Sequence, residues 1–346
     1  MASTILYIAS SKGVFTVMKN GGDWKIESQS LTDWSVPKVA VSSLKPNRIF
    51  AGTRGDGVWV SEDFGKQWTK PSYGKPGPGK VRCVSLHPTD DDTLYAGTEP
   101  IELFVSHDSG RNWKALHSVR QVRSVSSFTY PVAGVEPHIR DIIFSPKDPK
   151  ILYAALQVGY MIKSNDDGAT WSLLDQGLDA DVHSICIHPE QSNRMYIATG
   201  GDFYRQGKSP GRALYMSEDG GDSWLPIALH FGEDYSVPLV MHPENPNILY
   251  SSLAKGSPGH WRRPTGAECI IVRTQDGGKS WQQLDSNVTE GGKKFVDVLV
   301  IDKAQPEHIY AGLRSGEIYA SHDGGGGWTK LNVKVDSISD MQCVHA

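Results

Sequence analysis

Four residues suited to binding or catalysis stand at one recurring position of this sequence. When the chain is aligned on an aromatic that recurs at Phe50, Tyr95, Tyr153, Tyr196, Tyr250 and Tyr310, the equivalent upstream position holds Arg82, Arg140, His183 and Asp297. Pro37 and Val237 fill it in two other copies, and neighbouring positions add Lys38, His138, Asp181 and Tyr235. Arg82 and Arg140 suit bidentate capture of a carboxylate, phosphate or sulfate. His183 and His138 suit general acid–base work near neutral pH. Tyr235 or Tyr204 suits proton donation or nucleophilic attack. The competing reading is charge pairing alone, Arg140 with the adjacent Asp141, or Arg82 across from Asp297. A metal held by His138 and His183 needs a further ligand, His230 or His260. No ligand-type spacing supports it, so neither a metal nor a cofactor is expected.

The elements that position these residues are repeated. The octet Ser217-Glu-Asp219-Gly-Gly221-Asp-Ser-Trp224 has relatives starting at Ser61, Ser106, Ser164, Thr274 and Ser321, with successive starts 45 to 58 residues apart. That is the length of a four-stranded propeller blade. Upstream of each octet runs an apolar strand, a turn that often contains Pro, and a second short strand, as in Val81–Pro88 followed by Thr93–Thr98. Each unit reads as strand A, turn, strand B, loop, strand C, octet turn, strand D. Six units are complete. A seventh is divided, with strands B and C in Thr4–Ala9 and Gly13–Val17, a degraded octet in Gly21–Trp24, and strand A in Ser337–Val344. The chain is thus predicted to be all-β, a single seven-bladed β-propeller of four-stranded blades over residues 1–346. One blade is shared between about 1–30 and 335–346, which closes the ring and removes sheet edges. The octet itself is read as a turn. Ser and Asp bond the backbone, Gly takes positive φ and Trp begins strand D.

In this plan the B-to-C and D-to-A loops open around the channel mouth, while the octets and the A-to-B turns lie opposite. The pairs His87-Pro88, His188-Pro189 and His242-Pro243 fall in A-to-B turns and read as repeat elements. Most B-to-C loops are tight, such as Thr53–Gly57 and Leu313–Gly316. Three connections are long: Gly200–Arg212 with Tyr204, Arg205 and Lys208; Ala254–Glu268 with His260, Trp261, Arg262 and Arg263; and His117–His138. Long polar and aromatic loops on a rigid scaffold are where binding residues concentrate. The substrate-binding set read from the sequence is Arg82, Arg140, Asp297, Tyr204, Arg205, His260, Trp261 and Arg263. The catalytic set is His183, Tyr235 and His138.

Bulk properties narrow the partners. Acidic and basic residues nearly balance, 39 against 35, which argues against nucleic acid or a membrane surface as partner. No apolar run is long enough to span a bilayer, and the first ten residues lack the pattern of a secretory signal. The expectation is a cytoplasmic protein, with a secreted mature form left open. Cys83, Cys186, Cys269 and Cys343 lie far apart in strand-like runs and read as small reduced hydrophobes.

The octet Ser/Thr-x-Asp-x-Gly-x-x-Trp resembles the Asp-box, or bacterial neuraminidase repeat, of the sialidase-like propeller superfamily, over essentially the whole chain. That superfamily includes sialidases, xyloglucan-active hydrolases, sortilin-type receptors and a non-enzymatic photosystem II assembly factor, so the resemblance implies fold more than function. A sialidase would carry six blades, an arginine triad and an early aromatic-Arg-Ile-Pro motif; Met18–Trp34 holds no arginine. Xyloglucan-active relatives use paired acids between two tandem propellers, and Glu268, Glu233 and Asp234 do not rebuild that pair. Two functions follow. One is a hydrolase or lyase acting on a small anionic, carbohydrate-like substrate. The other is a scaffold that offers Arg205, Lys208, Arg212, Arg262 and Arg263 to a protein partner.

Overall fold

The computed structural model describes residues 3–42, 44–123, 125, 128–130, 132–201 and 212–346. Seven antiparallel sheets follow one another along the chain, six of four strands and one of three. This is the all-β, seven-bladed propeller class that the repeat predicts. Described helical segments are 3-10 turns such as His117–Gln121, and no helix is long and apolar enough to cross a membrane. The two chain ends share a sheet. Strand Asp340–His345 pairs with Thr4–Ser10 in register from Thr4 opposite His345 to Ala9 opposite Asp340, and Ser3 and Ala346 exchange backbone hydrogen bonds of 2.9 and 3.1 Å.

The chain forms two compact units. The first comprises residues 1–158, 162–173 and 332–346, and the second 159–161 and 174–331. In both, the B strands are buried throughout: Ile5–Ala9, Ile49–Ala51, Leu152–Leu156, Met195–Ala198 and Ile309–Ala311 are at or near zero exposure. Strands buried on both faces carry apolar residues without alternation, as these do.

One blade departs from the expected four strands. After Lys38–Val41, Ile49–Thr53 and Gly57–Ser61, strand D shrinks to Thr69, which exchanges backbone bonds of 2.8 and 2.9 Å with Val60. Pro71, Pro76 and Pro78 follow at once. Proline has no N–H to donate to a ladder, so the strand cannot continue there.

The octets are turns, and their bonds repeat. Ser217 Oγ donates to Asp219 Oδ1 at 2.7 Å and accepts from the N–H of Gly221 at 2.9 Å. Asp219 accepts from the N–H and the hydroxyl of Ser223. These bonds hold its carboxyl down at about 2, the Ser223 hydroxyl contributing most. Gly221 sits at φ +95°, where a side chain would be strained. Trp68, Trp171 and Trp224 donate their indole N–H to the octet glycine carbonyl at 2.9–3.1 Å. Trp113, Trp281 and Trp328 bury theirs without an acceptor. The His-Pro turns are structural too. His188 Nδ1 accepts from the N–H groups of Glu190 and Gln191, and His242 Nδ1 from those of Glu244 and Asn245.

The same octet turn receives the neighbouring blade. Within the second unit, Tyr196 Oη donates to Gly277 O at 2.9 Å and Tyr250 Oη to Gly324 O at 3.1 Å, each in the octet of the next blade. Within the first, Tyr95 Oη donates to Asp167 Oδ1 at 2.7 Å. Phe50 has no hydroxyl. There Arg48 lies over the Phe50 ring at 5.2 Å and reaches Asp92 at 3.0 Å and Ser109 of the following octet. Replacing Tyr196 by Phe keeps the ring and removes the bond, leaving the buried Gly277 carbonyl without this donor. Urea unfolding should show a loss of about 1–2 kcal/mol; an unchanged midpoint would mean the hydroxyl contributes nothing.

Candidate functional site

The recurring position is a β-bulge. In the register of strand Val81–His87, Val81 faces Thr98 and Cys83 faces Gly97, so Arg82 is the unpaired extra residue. The same skip falls on Arg140 between Ile139 and Asp141, on His183 between Val182 and Ser184, and on Asp297 between Val296 and Val298. A bulge re-aims its extra side chain out of the ladder, which is why one sequence position repeatedly carries the polar group.

Each bulged residue meets the residue four places after the aromatic of its own blade. Arg82 pairs with Glu99 at 3.2 Å, Arg140 Nη1 donates to Gln157 Oε1 at 2.6 Å, and Asp297 Oδ1 accepts from Arg314 Nε and Nη2 at 3.1 and 2.5 Å. In the His183 blade that place is Gly200. A Cβ there would lie 2.0 Å from Asp181 Oδ2 and 3.1 Å from His183 Cε1, so glycine leaves room for an acid two residues before the histidine. The pairings weighed from the sequence are therefore corrected. Arg82 has its acid in Glu99 and Asp297 its base in Arg314, while Asp141 lies 3.6 Å from Lys38 Nζ.

The first unit brings Arg82, His138 and Arg140 together. Glu99, with a 2 % exposed side chain, is shared by Arg82 and Arg54, which are 14 % and 40 % exposed; its Oε2 is 3.3 Å from Arg54. Arg82 Nη2 also contacts His138 Nε2 at 2.7 Å. Gln157, bonded to Arg140, donates from Nε2 to Tyr130 Oη at 3.0 Å, and Tyr130 lies against the His138 ring. The chain of contacts runs Arg54, Glu99, Arg82, His138, Tyr130, Gln157, Arg140. It holds three guanidiniums and one carboxylate. Burial, then the charges of Arg54 and Arg140, push the Arg82 pKa down to about 10.

The second unit brings together His183, Tyr235, Asp297 and Trp261. His183 Nδ1 lies 2.6 Å from Ser236 O and its Nε2 3.3 Å from Asp181, both side chains being buried. Nδ1 donates to the carbonyl of Ser236 and so ties the ring to the next blade's strand, and the Asp181 contact is at ion-pair distance. Tyr235 is buried, edge-on to Trp261 and Phe295 at 5.2 and 5.6 Å. Trp261 lies 4.5 Å from Phe295, with Arg314 over its ring at 5.7 Å, and it donates to Lys255 O and Gly256 O. Burial opposes the Arg314 charge, but Asp297 and Tyr235 outweigh it and raise its pKa. His260 and Arg263 are exposed on the same loop, His260 beside Ser257. Tyr204, Arg205 and Lys208 lie outside the described residues.

Glu99, Gln157, Arg54 and Arg314 were not among the residues singled out from the sequence, although a signal was present. Counting four residues on from Phe50, Tyr95, Tyr153 and Tyr310 gives Arg54, Glu99, Gln157 and Arg314. Glu233 gains weight from the structure. Its Oε2 is buried without a partner, and burial, then Glu268 and Asp234, raise its pKa, while Lys255 at 2.9 Å holds Glu268 low.

The sheets, the shared blade and the six octets make this chain an Asp-box β-propeller. The BNR-Asp box repeat model matches residues 58–70, and the model of sortilin, neurotensin receptor 3, matches residues 159–290. The chain is 22 % identical over 319 residues to a probable oligoxyloglucan-reducing end-specific xyloglucanase of Neosartorya fischeri, covering 80 % of this chain and 36 % of that one. It thus spans about a third of that relative's length. Among solved structures, an ancestral GH74 enzyme superposes with a TM-score of 0.60 at 17 % identity, over 89 % of this chain and 38 % of that one. YCF48 bound to D1 peptide superposes with a TM-score of 0.59 at 16 % identity, over 89 % and 85 %. At these identities the structural likeness speaks to the fold.

Replacing Glu99 by Gln removes the acid shared by Arg54 and Arg82. The expected cost in urea unfolding is about 2–3 kcal/mol, below the usual figure for a fully buried broken pair because Arg54 is part-exposed. A neutral result would mean solvent already compensates the two guanidiniums.

Proposed function

We propose that this propeller binds an oxyanion, a carboxylate foremost, through Arg140 with Arg82 and Arg54 beside it. One observation carries the reading: Arg140 faces an amide, Gln157, where Arg82 faces a carboxylate. Its remaining N–H donors form the planar fork that matches a carboxylate. The ligand is an acidic sugar in this reading: a xyloglucanase among the relatives supports the sugar, and the Arg140 fork alone argues for the acid. The carboxylate of an acidic peptide has the same chemistry, and the likeness to YCF48 bound to D1 peptide makes it the other source to test.

The substitution Gln157→Glu gives Arg140 a carboxylate of its own, as Glu99 does for Arg82. Calorimetric titration with glucuronate oligosaccharides and, separately, with an acidic peptide should show binding to the wild type weakened at least about tenfold in Gln157→Glu and in Arg140→Ala, as for loss of a charge-assisted hydrogen bond. Which arm gives heat identifies the source. Equal affinity in all three proteins would sink the proposal.

A second reading, hydrolysis, is favoured by Glu233 and Glu268 in the second unit. One carboxyl is pushed up by burial and the other held down by Lys255. Glycoside hydrolysis needs such a division, an acid to protonate the leaving oxygen and a base or nucleophile. Release of reducing ends from xyloglucan or acidic oligosaccharides should fall by about 10²–10⁴ in Glu233→Gln. If the wild type releases none from either class, the hydrolytic reading fails while the binding reading stands.

A further inference from the structure

Both ring nitrogens of His138 have partners that fix its proton. Arg82 Nη2 is 2.7 Å from Nε2, and a guanidinium nitrogen only donates, so Nε2 accepts. Nδ1 therefore carries the hydrogen and donates it to Glu136 O at 2.8 Å. The ring is neutral and fully buried, at 0 % exposure. Its plane is braced by Tyr130 at 5.7 Å, and Tyr130 is bonded through Gln157 to Arg140.

We propose that His138 is a positioning residue for the oxyanion site: its Nδ1–H tautomer holds Arg82 in line with Arg140, and protonation of Nε2 releases Arg82 and weakens the anion. This rests on the oxyanion reading above. The physical step is a conflict of donors. Once Nε2 carries a hydrogen, two N–H groups and two positive charges meet at a distance that suits one donor and one acceptor. Glu99 retains Arg82 by its other nitrogen, so the guanidinium swings rather than leaves. The charged and titratable groups around the ring are Arg82 and Glu99 from the preceding blade, Arg54 through Glu99, and Lys38 beside Asp141. Among the described residues, Arg140 and Asp141 on the ring's own strand, Tyr130 and Glu136 in the connection before it, and Asp340 beside Lys38 belong to the same surroundings.

The sequence gives His138 acid–base chemistry; the geometry gives it another task. A general base needs a lone pair directed at the substrate, and the lone pair of Nε2 is directed at Arg82. The same bond makes the ring sensitive to pH without placing it on the ligand.

The test uses the whole chain and sulfate, which stays fully ionised from pH 5.5 to 8.5. In wild type the sulfate affinity should be flat where the imidazole is neutral and fall toward tenfold per pH unit where it takes up its proton, as one coupled proton requires. In His138→Gln the amide oxygen accepts from Arg82 at every pH, so binding should persist and the slope should vanish. Nitrogen NMR of the labelled imidazole should report the Nδ1–H tautomer at pH 8 with and without sulfate. Affinity that rises on acidification, as it would if the imidazolium simply added charge for the anion, overturns the proposal. So does the same slope in His138→Gln, or an Nε2–H tautomer. If wild type binds no sulfate at any pH but shows the Nδ1–H tautomer, the oxyanion reading fails and the positioning role falls with it; binding with the wrong tautomer or slope overturns the positioning role alone.

Discussion

A hydroxyl buried between blades supports the rest of this architecture. Tyr95, Tyr196 and Tyr250 extend from the middle of one blade and end on the octet turn of the next. Their rings supply apolar area, the hydroxyls of Tyr196 and Tyr250 satisfy carbonyls of buried glycines, and that of Tyr95 meets the exposed Asp167 carboxylate. The octet therefore has two tasks: it closes its own hairpin through Ser, Asp and Gly, and it receives the tyrosine of the preceding blade. Where the aromatic is Phe50, Arg48 takes over by spanning the ring to reach Asp92 and Ser109. The contact is kept while its chemistry changes.

Where that seam fixes a blade by its octet turn, the opposite end of strand A departs from regular pairing. It does so by a bulge, repeated at Arg82, Arg140, His183 and Asp297. Each bulge delivers one polar side chain, and the residue just past strand B answers it. Most of the answers are complementary: acid to base in Arg82–Glu99 and Asp297–Arg314, and an absent side chain at Gly200 that admits Asp181 to His183. Arg140 with Gln157 departs from this neutralising pattern. The proposed oxyanion site rests on that difference between the two arginines.

The candidate acid–base residues divide by environment. His183 and His138 are both buried: His138 bonds Arg82 and Glu136 O through its two nitrogens, and His183 bonds Ser236 O through Nδ1 with Nε2 near Asp181. Tyr235 is packed among Trp261, Phe295 and His183. Glu233 has the opposite character: a buried carboxyl oxygen without a partner, in a setting that favours its protonated form. Burial with a partner immobilises a titratable group, and burial without one tunes it.

Much of this was legible in the order of residues. The octet spacing, the recurring aromatic and the divided seventh unit depend on local turn chemistry and on apolar runs, which act between near neighbours in the chain and so leave a periodic trace. The position of Arg82, Arg140, His183 and Asp297 was legible by the same alignment. The identity of their partners was not read from it, although Arg54, Glu99, Gln157 and Arg314 keep a constant offset. The short fourth strand after Trp68 was written in Pro71, Pro76 and Pro78, yet the repeat obscured it. What tertiary structure alone decided was which donor meets which acceptor. The proton on His138 Nδ1, the sharing of Glu99 by two arginines and the buried oxygen of Glu233 depend on distances of about three ångströms between strands remote in sequence. Hydrogen bonding and desolvation vary steeply over that range, and residue spacing along the chain does not encode it.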